Sequence, residues 1–167
     1  IPIKISTLYL GFVTNKAPAT SPSEINFNLT FRKINMSNEI ALVVGAGKGL
    51  SASLARTLYT DGMKVILAAR NVEKLKTIAS ETKATQFKCD GSEIDQVENM
   101  FKQIDELHGH IDLVVYNPSD RVPGFITEID PVAAKKAIEI TSFGAFLVAR
   151  QAAKRMTQAG KGTILFT

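Results

Sequence analysis

The chain is predicted to fold as an α/β domain, a doubly wound and all-parallel sheet of five strands in three layers, with helices on both faces. Three observations carry this expectation. Short apolar runs alternate with helical patterns from Glu39 to Thr167. The segments between those runs are long enough for the helical crossovers that parallel strands require. A glycine-rich turn, GAGKGLS over 45–51, lies where the first apolar run passes into the first helix.

The first run, IALVVG over 40–45, is apolar without interruption, as a strand covered on both faces should be. In the helix that follows, Leu50, Leu54, Ala55 and Leu58 fall on one stripe, and Asp61-Gly62 ends it. KVILAA over 64–69 is the second strand, and NVEKLKTIASETK is a helix opened by a capping Asn71. ATQFKC over 84–89 is the third strand. The next helix takes Ser92 as its N-cap and sets Ile94, Val97, Met100, Phe101, Ile104 and Leu107 at helical spacing. IDLVVY over 111–116 is the fourth strand. Asp130-Pro131 then opens a long helix, cap followed by first-turn proline, which runs to about Gln158 with a break near Gly144. GTILFT over 162–167 is the fifth strand. Right-handed crossovers place these helices on both faces of the sheet.

A chain of 167 residues is long enough for one domain with a sizeable core. Its net charge of +4 is unevenly spread. Lys4, Lys16, Arg32 and Lys33 against Glu24 give residues 1–36 a balance of +3, which leaves +1 for the rest. A nearly neutral body without a run of Lys and Arg argues against a nucleic-acid partner. Residues 1–36 show no sustained period, and KAPATSPSE is linker-like. They are expected to be a disordered leader or a non-native extension ahead of Met36-Ser37, with the domain over 37–167. A targeting peptide is the competing reading, because the segment is rich in Ser and Thr and poor in acid. Cys89 is the only cysteine, so no internal disulfide forms, and no stretch is suited to span a bilayer. The body reads as soluble and cytoplasmic, with no membrane partner. His108 and His110 sit at a helix-to-strand turn without further ligand types nearby, so no metal site is expected.

At a strand-to-helix junction, free backbone N–H groups and the helix dipole favour an anion, typically a phosphate or pyrophosphate. Gly45, Gly47 and Gly49 allow backbone to approach such a ligand without an intervening Cβ. The turn is not a triphosphate-binding loop, because Lys48 is followed by Gly49 rather than Ser or Thr. An acid at the end of the second strand would mark NAD, or a methyltransferase that binds S-adenosylmethionine. That strand ends Ala68, Ala69, Arg70 instead. Arg70, with Lys48 from the glycine turn, suits the 2′-phosphate of NADP(H). A Rossmann-like NADP(H) domain is the leading reading, and the methyltransferase remains a remote alternative.

VGAGKGLS, CDGS over 89–92 and DLVVYNPS together resemble the short-chain dehydrogenases/reductases, and the resemblance covers 38–167. VGAGKGLS resembles that family's TGxxxG[IL]G turn, with Val44 for the threonine and Ser51 for the third glycine. The resemblance implies that Gly45, Gly47, Lys48, Gly49 and Leu50 form the pyrophosphate turn. It also implies that Asp90 contacts adenine, that Gly91 lines its pocket, and that Asn117 sits beside the cofactor ribose. Asn117 is the residue retained from the family's NNAG motif, here Tyr116, Asn117, Pro118 and Ser119. Asp90 would equally suit a turn cap ahead of Ser92, and Asn117-Pro118 is a good turn former without any ligand.

The family's chemistry uses a Ser, a Tyr-x-x-x-Lys and a supporting Asn, acting on a small carbonyl or alcohol substrate. Thr141 stands at the position of that Asn. By register the Ser falls just past Thr167 and the Tyr and Lys further on, so these residues are expected to hold the cofactor half alone and to show no turnover. A non-catalytic nucleotide-binding relative is the alternative. The resemblance also implies a homo-oligomer formed through the 131–158 helix, which Ala137, Ile140, Phe146 and Val148 would serve.

Overall fold

The computed structural model describes Lys4–Ile5 and residues 38–167. Six parallel strands form one sheet: β1 (Lys4–Ile5), β2 (Ile40–Val44), β3 (Lys64–Ala69), β4 (Thr85–Lys88), β5 (Leu113–Tyr116) and β6 (Thr163–Phe166). Their spatial order is β1-β6-β5-β2-β3-β4. The five expected strands are all present. β1 is a short addition on the edge of β6, where backbone groups would otherwise lack partners, and no strand is expected there from the sequence. The rest of the expected leader, 1–3 and 6–36, lies outside the described residues.

Alternation along β2 explains the three layers. Ala41 and Val43 face one side and pack with Ala52, Ala55 and Leu58 of helix α1 (Leu50–Thr60) and with Ile78 and Ala79 of α2 (Lys76–Thr82). Ile40, Leu42 and Val44 face the other side. They join Val97, Phe101 and Ile104 of α3 (Ile94–His108) and Leu147, Val148 and Ala152 of α5 (Gly144–Ala159). Arg155 ties these last two helices together. Its guanidinium forms a forked pair with Asp105 at 2.6 to 3.0 Å and lies over the Phe101 ring.

Several local expectations change. Leu50 begins α1 but is 63% exposed, because the turn of the chain at Gly49 aims it outward and Ala52 takes the core position. Ile94 and Leu107 are also exposed, at the two ends of α3 beyond the edge of the sheet. Ser92 does not cap α3. Glu93 occupies the N-cap position without a side-chain bond, and Ser92 turns back to bond Asp90. Asn71 caps a short 3-10 turn, Val72–Leu75, that precedes α2. The long helix is opened by Asp130 as expected, its carboxylate accepting from the N–H groups of Val132 and Ala133 at 3.2 Å. It is α4 (Pro131–Ile138), a π-turn over Glu139–Phe143, then α5 from Gly144. The π-turn rotates the helix, so Val148 faces the core while Phe146 stays exposed. These two do not share an outer face.

At the N-terminal ends of the strands, opposite the glycine turn, Asp112 ties three strands together. Its buried Oδ2 accepts from the N–H of Ile40 at 2.9 Å and pairs with His110, while Lys161 Nζ lies 2.6 Å from Oδ1. Burial by itself would raise this carboxyl's pKa. Lys161, the Ile40 N–H and His110 outweigh it and hold the group below its ordinary value. A carboxyl with a depressed folded pKa stabilises the fold above its unfolded pKa, and that contribution fades as pH falls through the folded value. Asp112→Ala is expected to cost about 2 kcal/mol at neutral pH, chiefly from the stranded Ile40 N–H. Thermal melts run from neutral to acidic pH should show the variant losing stability less steeply than the parent. An acid limb equally steep in both would remove Asp112 as its source.

Candidate functional site

Strand order reverses between β2 and β5. The connection after β2 turns toward β3, and the chain leaving β5 turns the other way, so a gap opens at their C-terminal ends, where such folds bind ligands. A cleft of about 320 Å³ occupies this gap. It is lined by Gly45 and Ala46 after β2, by Arg70, Asn71 and Lys74 after β3, and by Asp90 and Gly91 after β4. Asn117, Pro118 and Ser119 close the far side.

Close packing explains the glycine at the floor. Gly45 has φ +76°, and a Cβ there would meet the Pro118 nitrogen at 2.6 Å. The N–H groups of Gly45 and Ala46 both donate to Ala68 O, at 2.9 and 3.0 Å, which pins the turn to the end of β3. Gly47 differs. A Cβ there would meet nothing within 4 Å, and its φ is not in the left-handed region, so the fold itself does not demand glycine. Gly49 has φ +95° and is the N-cap of α1 with no side-chain bond across the helix opening. Open space over Gly47 beside an uncapped helix N-terminus fits a phosphate group.

Asn117 is held at both ends of its amide. Its Oδ1 accepts from the Thr167 hydroxyl, and its Nδ2 donates to Ser51 Oγ at 2.6 Å. Ser51 Oγ in turn donates to Gly45 O at 3.3 Å. Ser51, at the place of the third glycine, thus links the turn to the end of β5. Asp90 accepts from the Ser92 N–H and hydroxyl at 3.1 and 2.7 Å, while its own N–H donates to Gln96. The turn-cap role foreseen for Asp90 is therefore present, on a residue that also lines the cleft.

Tyr116 lies under the cleft. Its hydroxyl donates to Ile140 O, a carbonyl in the π-turn, and its ring packs against Gly91. Burial, then the charge of Asp90 and the neighbouring Cys89, push the phenol up to about 12. Burial and Asp90 likewise push the Cys89 thiol up to about 11, so neither group is a nucleophile or base at neutral pH. Thr141 Oγ1 accepts from the Asp120 N–H at 3.0 Å and lies 3.4 Å from Asp120 O. It fastens the loop after β5 to the helix.

The cleft therefore gathers Gly45, Arg70, Asp90, Gly91 and Asn117. Gly47, Gly49 and Leu50 belong to the adjoining turn, and Lys48 is exposed on that turn and outside the cleft wall. Lys74 lines the cleft and was missed from sequence. Its spacing of four from Arg70 was the available signal. Among the described residues no group of metal-ligating side chains clusters, and no helix is long and apolar enough to cross a membrane.

Sheet order, glycine turn and switch-point cleft define a Rossmann-like α/β protein. The match to known proteins is narrower. Residues 39–167 match the family described as short chain dehydrogenase, and the chain belongs to that family of NAD(P)-dependent oxidoreductases. It is 27% identical over 157 residues to a trihydroxynaphthalene reductase of Colletotrichum orbiculare, covering 89% of this chain and 55% of that protein. A short-chain dehydrogenase/reductase from Mycobacterium marinum superposes with a TM-score of 0.76 at 28% identity, over 79% of this chain and 56% of that one. A metagenomic short-chain oxidoreductase in complex with NADP gives a TM-score of 0.76 at 29% identity, over 80% and 63%. The chain thus spans little more than half the length of the curated relatives it matches.

The Tyr116 seat yields a direct test. A Cβ on Gly144 would collide with the Tyr116 hydroxyl and approach Gly91 O at 2.9 Å. Gly144→Ala is expected to destabilise by about 2 kcal/mol, the usual scale for overpacking. Adding Tyr116→Phe should return part of that loss, measured by urea unfolding. Strictly additive effects of the two changes would contradict the contact.

Proposed function

We propose that the chain is the cofactor-binding part of an NADP(H)-dependent oxidoreductase that interconverts a carbonyl and an alcohol. The observation that carries this is the wall of the switch-point cleft, where β3 ends in Arg70 with no carboxylate at that strand end. A ribose bearing free hydroxyls favours an acid at this place, and a ribose bearing a phosphate favours a guanidinium. The metagenomic short-chain oxidoreductase, whose structure is a complex with NADP, supports the same choice.

In this reading Gly45, Gly47 and Gly49, with Leu50 and the first N–H groups of α1, receive the pyrophosphate. Arg70 takes the 2′-phosphate, Asp90 and Gly91 flank the adenine, and Asn117 orients the adjoining ribose through its one uncommitted N–H. Lys48, exposed on the glycine turn, adds a second positive charge for the same phosphate. The bound nicotinamide supplies or accepts the hydride. In this reading the described residues bind and orient it and offer no free proton donor, since the Tyr116 hydroxyl is spent on Ile140 O, Cys89 is buried and Thr141 is engaged with Asp120. These residues alone are expected to turn over no ketone. Assembly through 131–158, where Phe146 is exposed and stacks with Phe143, and a cytoplasmic setting belong to the same proposal.

The engagement of Thr141 favours one second reading, a nucleotide-binding relative without catalysis. Calorimetric titration separates these from the methyltransferase reading. NADPH should bind and S-adenosylmethionine should not. Gly47→Val should abolish NADPH binding while shifting the melting temperature little, because its Cβ would meet no protein atom within 4 Å. Preference for S-adenosylmethionine, or undiminished NADPH binding by Gly47→Val, would overturn the assignment.

A further inference from the structure

We infer that the outer edge of β6 is a strand-accepting edge, and that its occupant is this chain's own N-terminal segment at Lys4–Ile5. The two edges of the sheet are built differently. β4 reads TQFK, with Gln86 and Lys88 exposed, and a charge on an edge strand deters further pairing. β6 reads TILF and carries neither charge nor proline. Nothing in its sequence protects the edge, so another strand has to cover it.

The backbone of β6 has one side to spare. The N–H groups of Thr163 and Thr167 donate to Asp112 O and Tyr116 O at 2.9 and 3.2 Å, which uses the side toward β5. Successive N–H groups of a strand point to opposite sides, so the Ile164 N–H is turned away from β5, toward β1. There β1 pairs in parallel, with Lys4 opposite Thr163 and Ile5 opposite Ile164. An added strand of this kind is held by main-chain hydrogen bonds.

Counted from β4, the strand order is that of a doubly wound sheet, whose sixth place lies beside the fifth strand. In this chain a strand that precedes the first takes the sixth place. The stretch from Ile5 to Ile40 exceeds the roughly dozen residues that a parallel crossover needs, so one chain can supply both strands. Lys4–Ile5 therefore belongs to the folded domain and not to a leader outside it.

The test places cysteine pairs in the full chain, oxidises them mildly and maps the bridges by peptide mass spectrometry. Register partners on neighbouring strands lie about 4.8 Å apart, within disulfide reach. Lys4→Cys with Thr163→Cys should bridge within one chain, about tenfold more than Ile5→Cys with Thr163→Cys, whose positions fall on opposite faces. Cys89 is buried and stays out of the reaction. Equal yields from the two pairs, no bridge in either, or a bridge between two chains would overturn the inference. Removal of residues 1–5 gives a second measurement, and should speed exchange of the Ile164 amide about tenfold, the scale of one backbone hydrogen bond. An Ile164 amide exchanging at the same rate with and without those residues would overturn it too.

Discussion

The structure depends on one constraint at the C-terminal ends of β2 and β5, where two backbones come too close for any side chain between them. Gly45 and Pro118 touch there, and Asn117 N–H donates to Val44 O at 3.0 Å. Because β2 pairs with β3 on one side and β5 on the other, the segments leaving β2 and β5 must diverge just above this contact. The cleft is the space they leave. A Cβ at Gly45 would force the two segments apart and displace both the glycine turn and the Asn117 loop. Fold and site are thus coupled at a single pair of residues.

A second constraint acts below the first. Tyr116 fills space that needs Gly91 on one side and Gly144 on the other. Its hydroxyl donates to the Ile140 carbonyl, inside the π-turn over Glu139–Phe143. The break anticipated near Gly144 is therefore not a weak point. It is where the helix widens to accept the phenol, and glycine is the residue that lets it do so. Large Tyr116 and small Gly91 and Gly144 are one packing unit drawn from three separate segments.

Much of the fold was legible because its signals are local. The uninterrupted apolar run of β2, the glycine turn, the Asn71 and Asp130 caps and the Asp61-Gly62 stop each act within a few residues. Leu50 and Ser92 misled for the same reason: helical spacing and capping preference suit both, but the direction in which the chain enters the helix decides. Arg70, Asp90, Gly91 and Asn117 could be placed because each follows the C-terminal end of a strand, and parallel strands deliver those ends to one edge. Lys74 does not follow a strand end directly; the Asn71-capped 3-10 turn after β3 carries it to the cleft. The bond from Asn117 to Ser51 joins positions 66 apart in sequence and has no local signature.

That bond changes how the departures from the family pattern are to be understood. Ser51 replaces a glycine whose usual service is close helix-to-strand packing. The hydroxyl fits because it donates to Gly45 O and receives the Asn117 amide, so its polar atom is satisfied where a buried one would otherwise be costly. Thr167 completes the line by donating to Asn117 from the end of β6. The ends of β2, β5 and β6 are thereby joined through side chains as well as through the sheet. Ser51, Asn117 and Thr167, far apart along the chain, act together, and their bonds stiffen the rim of the cleft. The departure at Ser51 is then no sign of a decayed site, because its buried hydroxyl both donates to Gly45 O and accepts from the Asn117 amide.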